Sequence, residues 1–186
     1  MIKLLKKSST FILCICILVM VALSVISVSD DIQKDIFPVK YSEFVEKYCD
    51  EYSLDETLVY SIIWVESRYD SDAVSPYGAR GLMQIMESTL DHINQLLNEG
   101  YSFDDMFDPE SNIRCGTRYL RYLIDRFGNL ETSVIAYNAG PGRVSLWLEN
   151  SKYSENGVLV KIPLSETAKY INKVKSCMEK YEFLYE

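Results

Sequence analysis

The chain has 186 residues, enough for one domain with a buried core that needs no disulfide or metal support. An apolar content of 48% excludes an intrinsically disordered chain. When Lys3, Lys6 and Lys7 are left out of the formal net charge of −8, the rest of the chain carries −11. This charge argues against nucleic acid as a partner.

The first 29 residues are predicted to be a signal-anchor or a signal peptide that lies outside the folded domain. Residues 8–29 carry no charge and would span roughly 33 Å as a helix, about the thickness of a bilayer core. This length favours a single-pass anchor, with the basic end in the cytoplasm and the domain outside the cell membrane. A weak small-x-small sequence at residues 27–29 leaves cleavage and secretion open as the alternative. Residues 30–40 are interpreted as a spacer.

Residues 41–186 are predicted to form one mainly α-helical domain, because apolar residues recur at helical spacing over most of this range. The first predicted helix covers residues 41–52. Ser53, with Glu56 three residues later, matches a capping box and predicts that a second helix begins at Ser53. The third predicted helix runs from residue 81 to about residue 97.

The second half of the domain continues the helical pattern. Asp108-Pro109 combines a capping residue with a favourable first helical residue, and predicts a fourth helix that stops near Gly128. A short fifth helix is predicted over residues 130–137, closed by the glycines of residues 140–142. Residues 150–162 are polar, so a loop or small hairpin is expected there. Ser165 is expected to cap the last helix.

Three cysteines lie outside the N-terminal segment, at positions 49, 115 and 177. They are far apart and lack the spacing of metal ligands, and we expect neither a metal ion nor a cofactor. Buried free thiols are the favoured interpretation. A Cys49–Cys177 disulfide remains an alternative if the domain faces outward.

Glu66 stands out because it continues the apolar stripe of the second helix, which consists of Leu58, Val59, Ile62 and Ile63. A carboxyl group on such a face loses solvation, so its pKa should rise and the group could donate a proton near neutral pH. The alternative is a salt bridge to Arg68 or Arg80 at the helix end. Asp70 and Asp72 are close in sequence but belong to a polar turn.

Two further segments carry polar groups in unexpected places. Gln84 lies inside an apolar run, where its amide could bond the backbone or recognise an acetamido sugar. In "AYNAGPGRV", residues 136–144, Tyr137 and Asn138 precede a glycine turn that allows a ligand to approach the backbone closely. A core tyrosine and a turn asparagine are the alternative there. His92 is the only histidine, which leaves no persuasive nucleophilic triad.

Three segments together resemble the signature segments of the soluble lytic transglycosylase (SLT) family. They are "ESRYDSDAVSPYGARGLMQIM", "AYNAGPGRV" and "IPLSETAKYINKV", in that order, and the similarity extends over about residues 41–180. The resemblance implies a lysozyme-like α-helical fold with a sugar-binding groove. It also implies cleavage of the β-1,4 bond between N-acetylmuramic acid and N-acetylglucosamine in peptidoglycan, without water, to give a 1,6-anhydromuramyl end.

The resemblance also assigns roles to individual residues. Glu66 matches the family's single catalytic residue, which acts first as an acid and then as a base, and Tyr137 matches a tyrosine that points to this acid and helps to hold it. The positions matching substrate-binding residues are Ser75, Gln84, Met86, Asn138, Glu166 and Tyr170. Glycosidases that use water ordinarily need two carboxylates, so a single acid fits a substrate that supplies its own nucleophile.

Other functions stay open at this point. A goose-type lysozyme would share the fold and the acid but use water, and a catalytically silent module would only bind peptidoglycan. The same chemistry could also serve a secretion or conjugation machine in the cell envelope. The expected partners are therefore glycan strands, the membrane through the N-terminal segment and, as a further alternative, envelope machinery.

Overall fold

The computed structural model describes residues 31–185 and the isolated residues 19, 20 and 28. The predicted membrane segment, residues 1–29, lies almost entirely outside this part of the chain. Within the part that is described, no helix is both long and apolar enough to cross a membrane. Residues 31–36 are helical, so the predicted spacer is partly helix. The residues from Val39 onward form a compact unit of their own.

This unit is mainly helical, as the periodicity predicted. In chain order its elements are α1 (Ser42–Tyr52), α2 (Glu56–Glu66), α3 (Glu87–Leu97), a 3₁₀ turn (Phe103–Phe107), α4 (Pro109–Phe127), α5 (Leu130–Ala139), α6 (Pro141–Leu148), β1 (Ser154–Glu155), β2 (Val158–Leu159) and α7 (Ser165–Tyr185). Helix α2 packs against α7, and α4 packs against α1 and α5. Helix α5 also contacts α7, which brings the ends of α2, α5 and α7 into one region.

The start of α2 differs from the prediction. Asp55, not Ser53, caps this helix, and its Oδ1 accepts hydrogen bonds from the backbone N–H groups of Thr57 at 2.7 Å and Leu58 at 3.3 Å. Ser53 has a φ of 50° and ends α1. The predicted capping box is therefore wrong, because a residue in the left-handed region closes the preceding helix instead of opening the next one.

Helix α4 has the predicted bounds. Oδ1 of Asp108 accepts from the backbone N–H of Ser111 at 2.9 Å, Pro109 is the first helical residue, and Gly128 ends the helix with a φ of 63°. Helix α5 runs two residues further than predicted, and α6, which was not predicted, begins directly after Gly140. The expected hairpin is present: β1 and β2 pair antiparallel around Asn156-Gly157, both at positive φ.

The predicted third helix is wrong over its first six residues. Helix α3 begins only at Glu87, and residues 81–84 form a turn. Gly81 and Gln84 have φ values of 74° and 51°, which a right-handed helix cannot accommodate. The backbone N–H and C=O groups of Arg80 and Ile85 instead exchange two hydrogen bonds of 3.0 Å. The segment has apolar residues because it is a buried loop, not because it forms one face of a helix.

Asn112 of α4 fixes this loop. The residue is fully buried, its Oδ1 accepts from the backbone N–H of Met83 at 2.7 Å, and its Nδ2 donates to the carbonyls of Arg80 at 3.0 Å and Met106 at 2.8 Å. A Cβ at Gly81 would collide with the Met106 carbonyl and the Asn112 side chain. The close approach of the loop to α4 therefore requires glycine at this position.

Cys49, Cys115 and Cys177 are buried free thiols. Burial raises the pKa of Cys49 and of Cys115 to about 12 and that of Cys177 to about 11. The favoured interpretation, buried free thiols, is therefore confirmed. The alternative, a Cys49–Cys177 disulfide, is not formed.

Candidate active site

Glu66 is the last residue of α2, and its carboxyl group meets α7. The hydroxyl of Tyr170 donates to its Oε1 at 2.7 Å. Burial raises the pKa of Glu66 to about 7, and the hydrogen bond from Tyr170 lowers it in part. The predicted rise in pKa is therefore confirmed, and the group is poised to exchange a proton near neutral pH.

The alternative salt bridges of Glu66 are not formed. The guanidinium of Arg68 lies over the Trp64 ring, 3.3 Å from its centroid, and Nη1 of Arg80 bonds Oδ1 of Asp104 at 2.6 Å. Among the described residues, no other carboxylate contributes to the pKa of Glu66. Asp70 and Asp72 are exposed, as expected for a polar turn.

Tyr170, and not Tyr137, donates a hydrogen bond to the acid. Tyr137 was matched to the residue that holds the acid, but its hydroxyl donates to the backbone carbonyl of Met83 at 2.9 Å. Its pKa lies well above the usual value, first because of burial and second because of the charge of Glu66. Tyr170, matched to a substrate contact, supplies the hydrogen bond to the acid. Spacing along the chain could not indicate this contact, because it joins residues 104 positions apart.

Ser75 and Gln84 hold the loop that precedes α3. Nε2 of Gln84 donates to the carbonyls of Ala73 at 3.1 Å and Gly81 at 2.9 Å, which is the backbone-bonding alternative considered above. Oγ of Ser75 accepts from the backbone N–H of Ala79 at 3.0 Å. Both side chains are partly exposed, so a sugar contact through the Oε1 of Gln84 or the hydroxyl of Ser75 stays a prediction.

A cleft of about 720 Å³ is lined in part by Tyr137. We call it the tyrosine cleft, and its lining residues are Met86, Ser88, Thr89, His92, Tyr119, Tyr122, Tyr137, Asn138, Ala139, Gly140, Pro141 and Arg143. The predicted residues Met86, Tyr137 and Asn138 thus share one surface. Its volume is within the range of ligand-binding clefts, and tyrosine rings next to polar groups suit a sugar.

The start of α7 is joined to the end of α5 beside this cleft. Oγ1 of Thr167 donates to Oδ1 of Asn138 at 2.9 Å. Glu166, the predicted second groove acid, is exposed in the first turn of α7 and does not line the tyrosine cleft. Its assignment to substrate binding therefore stays a prediction.

Sequence reasoning missed several residues of this region. Tyr119 and Tyr122 of α4 and His92 of α3 line the cleft, and the His92 ring meets Tyr122 edge-on with centroids 4.6 Å apart. The available signal was the spacing of Tyr119 and Tyr122, which are three residues apart and so share one helix face.

A mainly helical unit that combines a glutamate of raised pKa at a helix end with an aromatic cleft is typical of a lysozyme-like domain, and solved structures agree. The unit resembles the 70 kDa soluble lytic transglycosylase from Escherichia coli with a TM-score of 0.73 and 36% identity, over 81% of this chain and 25% of that one. The family model described as "Transglycosylase SLT domain" matches residues 43–159. The chain therefore belongs to the transglycosylase SLT domain family.

Two curated relatives illustrate the range of this family. The soluble lytic murein transglycosylase of Escherichia coli K12 is 40% identical over 143 residues, which are 74% of this chain and 22% of the relative. The membrane-bound lytic murein transglycosylase C of Edwardsiella ictaluri is 28% identical over 167 residues, which correspond to 76% of this chain and 46% of the relative. The chain thus spans about a quarter of the soluble relatives and less than half of the membrane-bound one.

Proposed function

We propose that this protein is a peptidoglycan lytic transglycosylase. It cleaves the β-1,4 bond between N-acetylmuramic acid and N-acetylglucosamine and leaves a 1,6-anhydromuramyl end. Membership of the SLT family supports the class of substrate. The observation that carries the proposal is Glu66, a carboxyl group with a pKa of about 7 that no second carboxylate of residues 31–185 perturbs.

In the first step, protonated Glu66 donates its proton to the glycosidic oxygen, and the bond between C1 of the muramic acid and that oxygen breaks. A carboxyl group with a pKa near 7 is still protonated in a large part of the population at neutral pH, whereas an ordinary glutamate is not. The N-acetylglucosamine end leaves with this proton. Positive charge then develops at C1 of the muramic acid.

In the second step, the Glu66 carboxylate accepts the proton of the C6 hydroxyl of the same muramic acid, and the C6 oxygen bonds to C1. Glu66 is thereby returned to its protonated form, and no water is consumed. The hydroxyl of Tyr170, which donates to Oε1, stabilises the carboxylate between the two steps. A single acid is sufficient because the attacking oxygen belongs to the substrate.

The predicted groove residues differ in where the structure places them. Met86 and Asn138 line the tyrosine cleft with Tyr137, and we assign them to the sugar chain near the acid. Ser75 and Gln84 shape the loop before α3 and offer one acceptor each toward an acetamido group. Tyr170 acts through Glu66 as a positioning residue. Glu166 is assigned to a more distant part of the groove.

We further propose that residues 1–29 tether the protein, so that the domain of residues 41–186 acts outside the cell membrane. The support is the uncharged segment of residues 8–29, which is long enough for a bilayer core. Fractionation of cells that make the full chain, or the chain without residues 1–29, tests this point. Recovery of the full chain in the soluble fraction at its uncleaved mass would contradict the tether.

The experiment that tests the activity is mass spectrometry of peptidoglycan digested by the full chain in detergent. We expect muropeptides with anhydromuramyl ends, lighter by the mass of one water molecule than the reducing ends of a hydrolase. Reducing ends would instead identify a lysozyme-like muramidase. An absence of any soluble product, from a chain that binds the sacculus, would identify a silent binding module.

A further inference from the structure

The chain turns directly after the acid. Glu66 ends α2, and the residues that follow include Arg68 and Tyr69, with φ values of 57° and 64°. Left-handed backbone is disfavoured for residues that carry a Cβ. Among residues 31–185, these are the only two neighbouring residues other than glycine that both adopt it. Such a turn persists only where contacts outside it hold it in place.

A buried pair of tyrosine hydroxyls supplies a contact of this kind. The side chains of Tyr69 and Tyr181 are buried, and their hydroxyl oxygens are hydrogen-bonded at 2.9 Å. Tyr181 belongs to α7, so the bond fastens the turn to a helix that is distant in the sequence. If either hydroxyl is removed, the other is left in the protein interior without this partner, which is unfavourable.

The same helix carries the tyrosine that contacts the acid. Tyr170 and Tyr181 are about three turns apart on α7 and therefore share one face. Along this face, Tyr170 donates to Glu66 at the end of α2, and Tyr181 contacts Tyr69 in the turn that follows. The backbone N–H groups of the two residues between Glu66 and Tyr69 donate to carbonyls of the last turn of α2 at 3.0 and 3.2 Å. A displacement of the turn would therefore displace Glu66 as well.

From this arrangement we infer that Tyr69 and Tyr181 are positioning residues, which hold the end of α2 so that the carboxyl group of Glu66 keeps its contact with Tyr170 and its partial burial. The inference rests on the proposed function, since it concerns the acid of the proposed reaction. Neither Tyr69 nor Tyr181 lines the tyrosine cleft, and neither is assigned to the substrate or to the transfer of a proton. The bond between them acts only through the turn.

Removal of either hydroxyl tests this inference. In Tyr181→Phe and in Tyr69→Phe, the turn should loosen and water should reach Glu66 more readily. Burial is the largest cause that raises the pKa of Glu66, so that pKa should fall from about 7 by roughly one pH unit. A carboxyl NMR titration of the full chain in detergent measures it, with Glu66→Gln to assign the signal. Tyr137 and Tyr170, which interact electrostatically with Glu66, are unchanged in both variants.

Tyr60→Phe is the matched control. The Tyr60 ring stacks on Tyr181 with centroids 5.7 Å apart, so this variant removes a hydroxyl from the same aromatic cluster and leaves the Tyr69–Tyr181 bond in place. The pKa of Glu66 should then stay at about 7. A pKa that is unchanged in Tyr181→Phe or in Tyr69→Phe, or that falls equally in Tyr60→Phe, would overturn the inference.

The double variant, Tyr69→Phe with Tyr181→Phe, separates positioning from stability. It removes both hydroxyls, so neither is left buried without its partner, and its stability in urea should recover toward that of the wild type. The turn still lacks its fastening to α7, so the pKa of Glu66 should remain low. A double variant that regains the wild-type pKa would show that the bond serves stability alone.

Turnover separates this inference from the proposed function. Tyr181→Phe should lower kcat roughly tenfold with little change in KM, because the acid is displaced while the substrate-binding residues are kept. The alkaline limb of the kcat/KM profile should move to lower pH together with the pKa of Glu66. An unchanged kcat and limb in Tyr181→Phe would refute positioning while leaving the transglycosylase intact. If the wild type releases no anhydromuropeptides but the pKa of Glu66 still depends on the hydroxyl pair, the proposed activity fails and the positioning of the carboxyl group stands.

Discussion

Two glutamates of this protein accept a hydrogen bond from a tyrosine hydroxyl, and their pKa values move in opposite directions. Tyr170 donates to Glu66 at 2.7 Å, and Tyr48 donates to Glu110 at 2.9 Å. Burial raises the pKa of Glu66 to about 7, whereas hydrogen bonds from Lys47 and Tyr48 lower the pKa of Glu110. The tyrosine is thus common to both sites and does not decide which one holds a proton.

The two glutamates differ in their exposure to water and in the presence of a neighbouring cation. The side chain of Glu110 is 42% exposed and pairs with Nζ of Lys47 at 2.7 Å, so its charged form is stabilised twice. Glu66 has no cation among the causes that set its pKa, and partial burial at the end of α2, against Tyr170 of α7, is the main cause that raises it. A glutamate can therefore hold its proton near neutral pH when it is shielded from water and has no cation beside it.

The largest expected effect comes from removing the carboxyl group that holds the proton. Glu66→Gln should lower the release of anhydromuropeptides by about 10²- to 10⁴-fold, the usual contribution of a general acid. The measurement is the rate of product release by mass spectrometry, with circular dichroism to establish folding. Glu110→Gln is the matched control and should keep wild-type activity. Activity in folded Glu66→Gln would assign the acid elsewhere.

The second test uses the pH dependence of stability. Glu66 binds its proton more tightly in the folded than in the unfolded chain, so the free energy of unfolding should fall as the pH rises from about 4.5 to about 7. At pH 8, Glu66→Gln should be more stable than the wild type by roughly 3 kcal/mol, and near pH 4 the two should be similar. Urea unfolding at both pH values measures this difference.

Glu110 should behave in the opposite way. Its folded pKa is lowered, so its contribution to stability is present above its unfolded value and disappears as the pH falls. The Glu110→Gln variant should therefore be less stable than the wild type at neutral pH, and this difference in the free energy of unfolding should disappear in acid. If the stability difference between variant and wild type changed with pH in the same direction for Glu66→Gln and Glu110→Gln, the contrast between the two sites would be wrong.

A third, smaller effect is expected from the tyrosines. Tyr170→Phe removes the hydrogen bond that lowers the pKa of Glu66, so the alkaline limb of the kcat/KM profile should move to higher pH. The carboxylate is also held less firmly, and activity should fall by roughly tenfold. Tyr48→Phe removes the matching bond at Glu110 and should leave the profile unchanged. An unshifted limb in Tyr170→Phe would show that this bond does not tune the acid.

The smallest effect is expected at the exposed pair. Lys47→Met removes the main cause that lowers the pKa of Glu110, so that pKa should return toward its ordinary value. Because the pair is exposed, the thermal midpoint should hardly change. A carboxyl NMR titration measures the pKa, and calorimetry measures the midpoint. Any loss of activity would indicate coupling between the α1–α4 contact and Glu66, which the described contacts do not provide.

Part of the site could be predicted because its causes are local. Glu66 continues the apolar stripe of one helix, so its burial followed from spacing alone. The bounds of α4 followed from Asp108 and Gly128, which act within one turn of the residues they cap. The loop before α3 could not be predicted in this way, because buried loop residues and a helix face give the same apolar spacing over a few residues.

By itself, the sequence determined the mainly helical class, the position of the acid on its helix, and the motifs that identify the family. The tertiary structure decided which groups surround that acid. Only the packing of α2 on α7 brings Tyr170 to Glu66 across 104 positions. Only the tertiary fold joins His92 of α3, Tyr122 of α4 and Arg143 of α6 in one cleft. Periodicity and capping act over a few residues, whereas burial and charge at a site depend on elements that are distant in the chain.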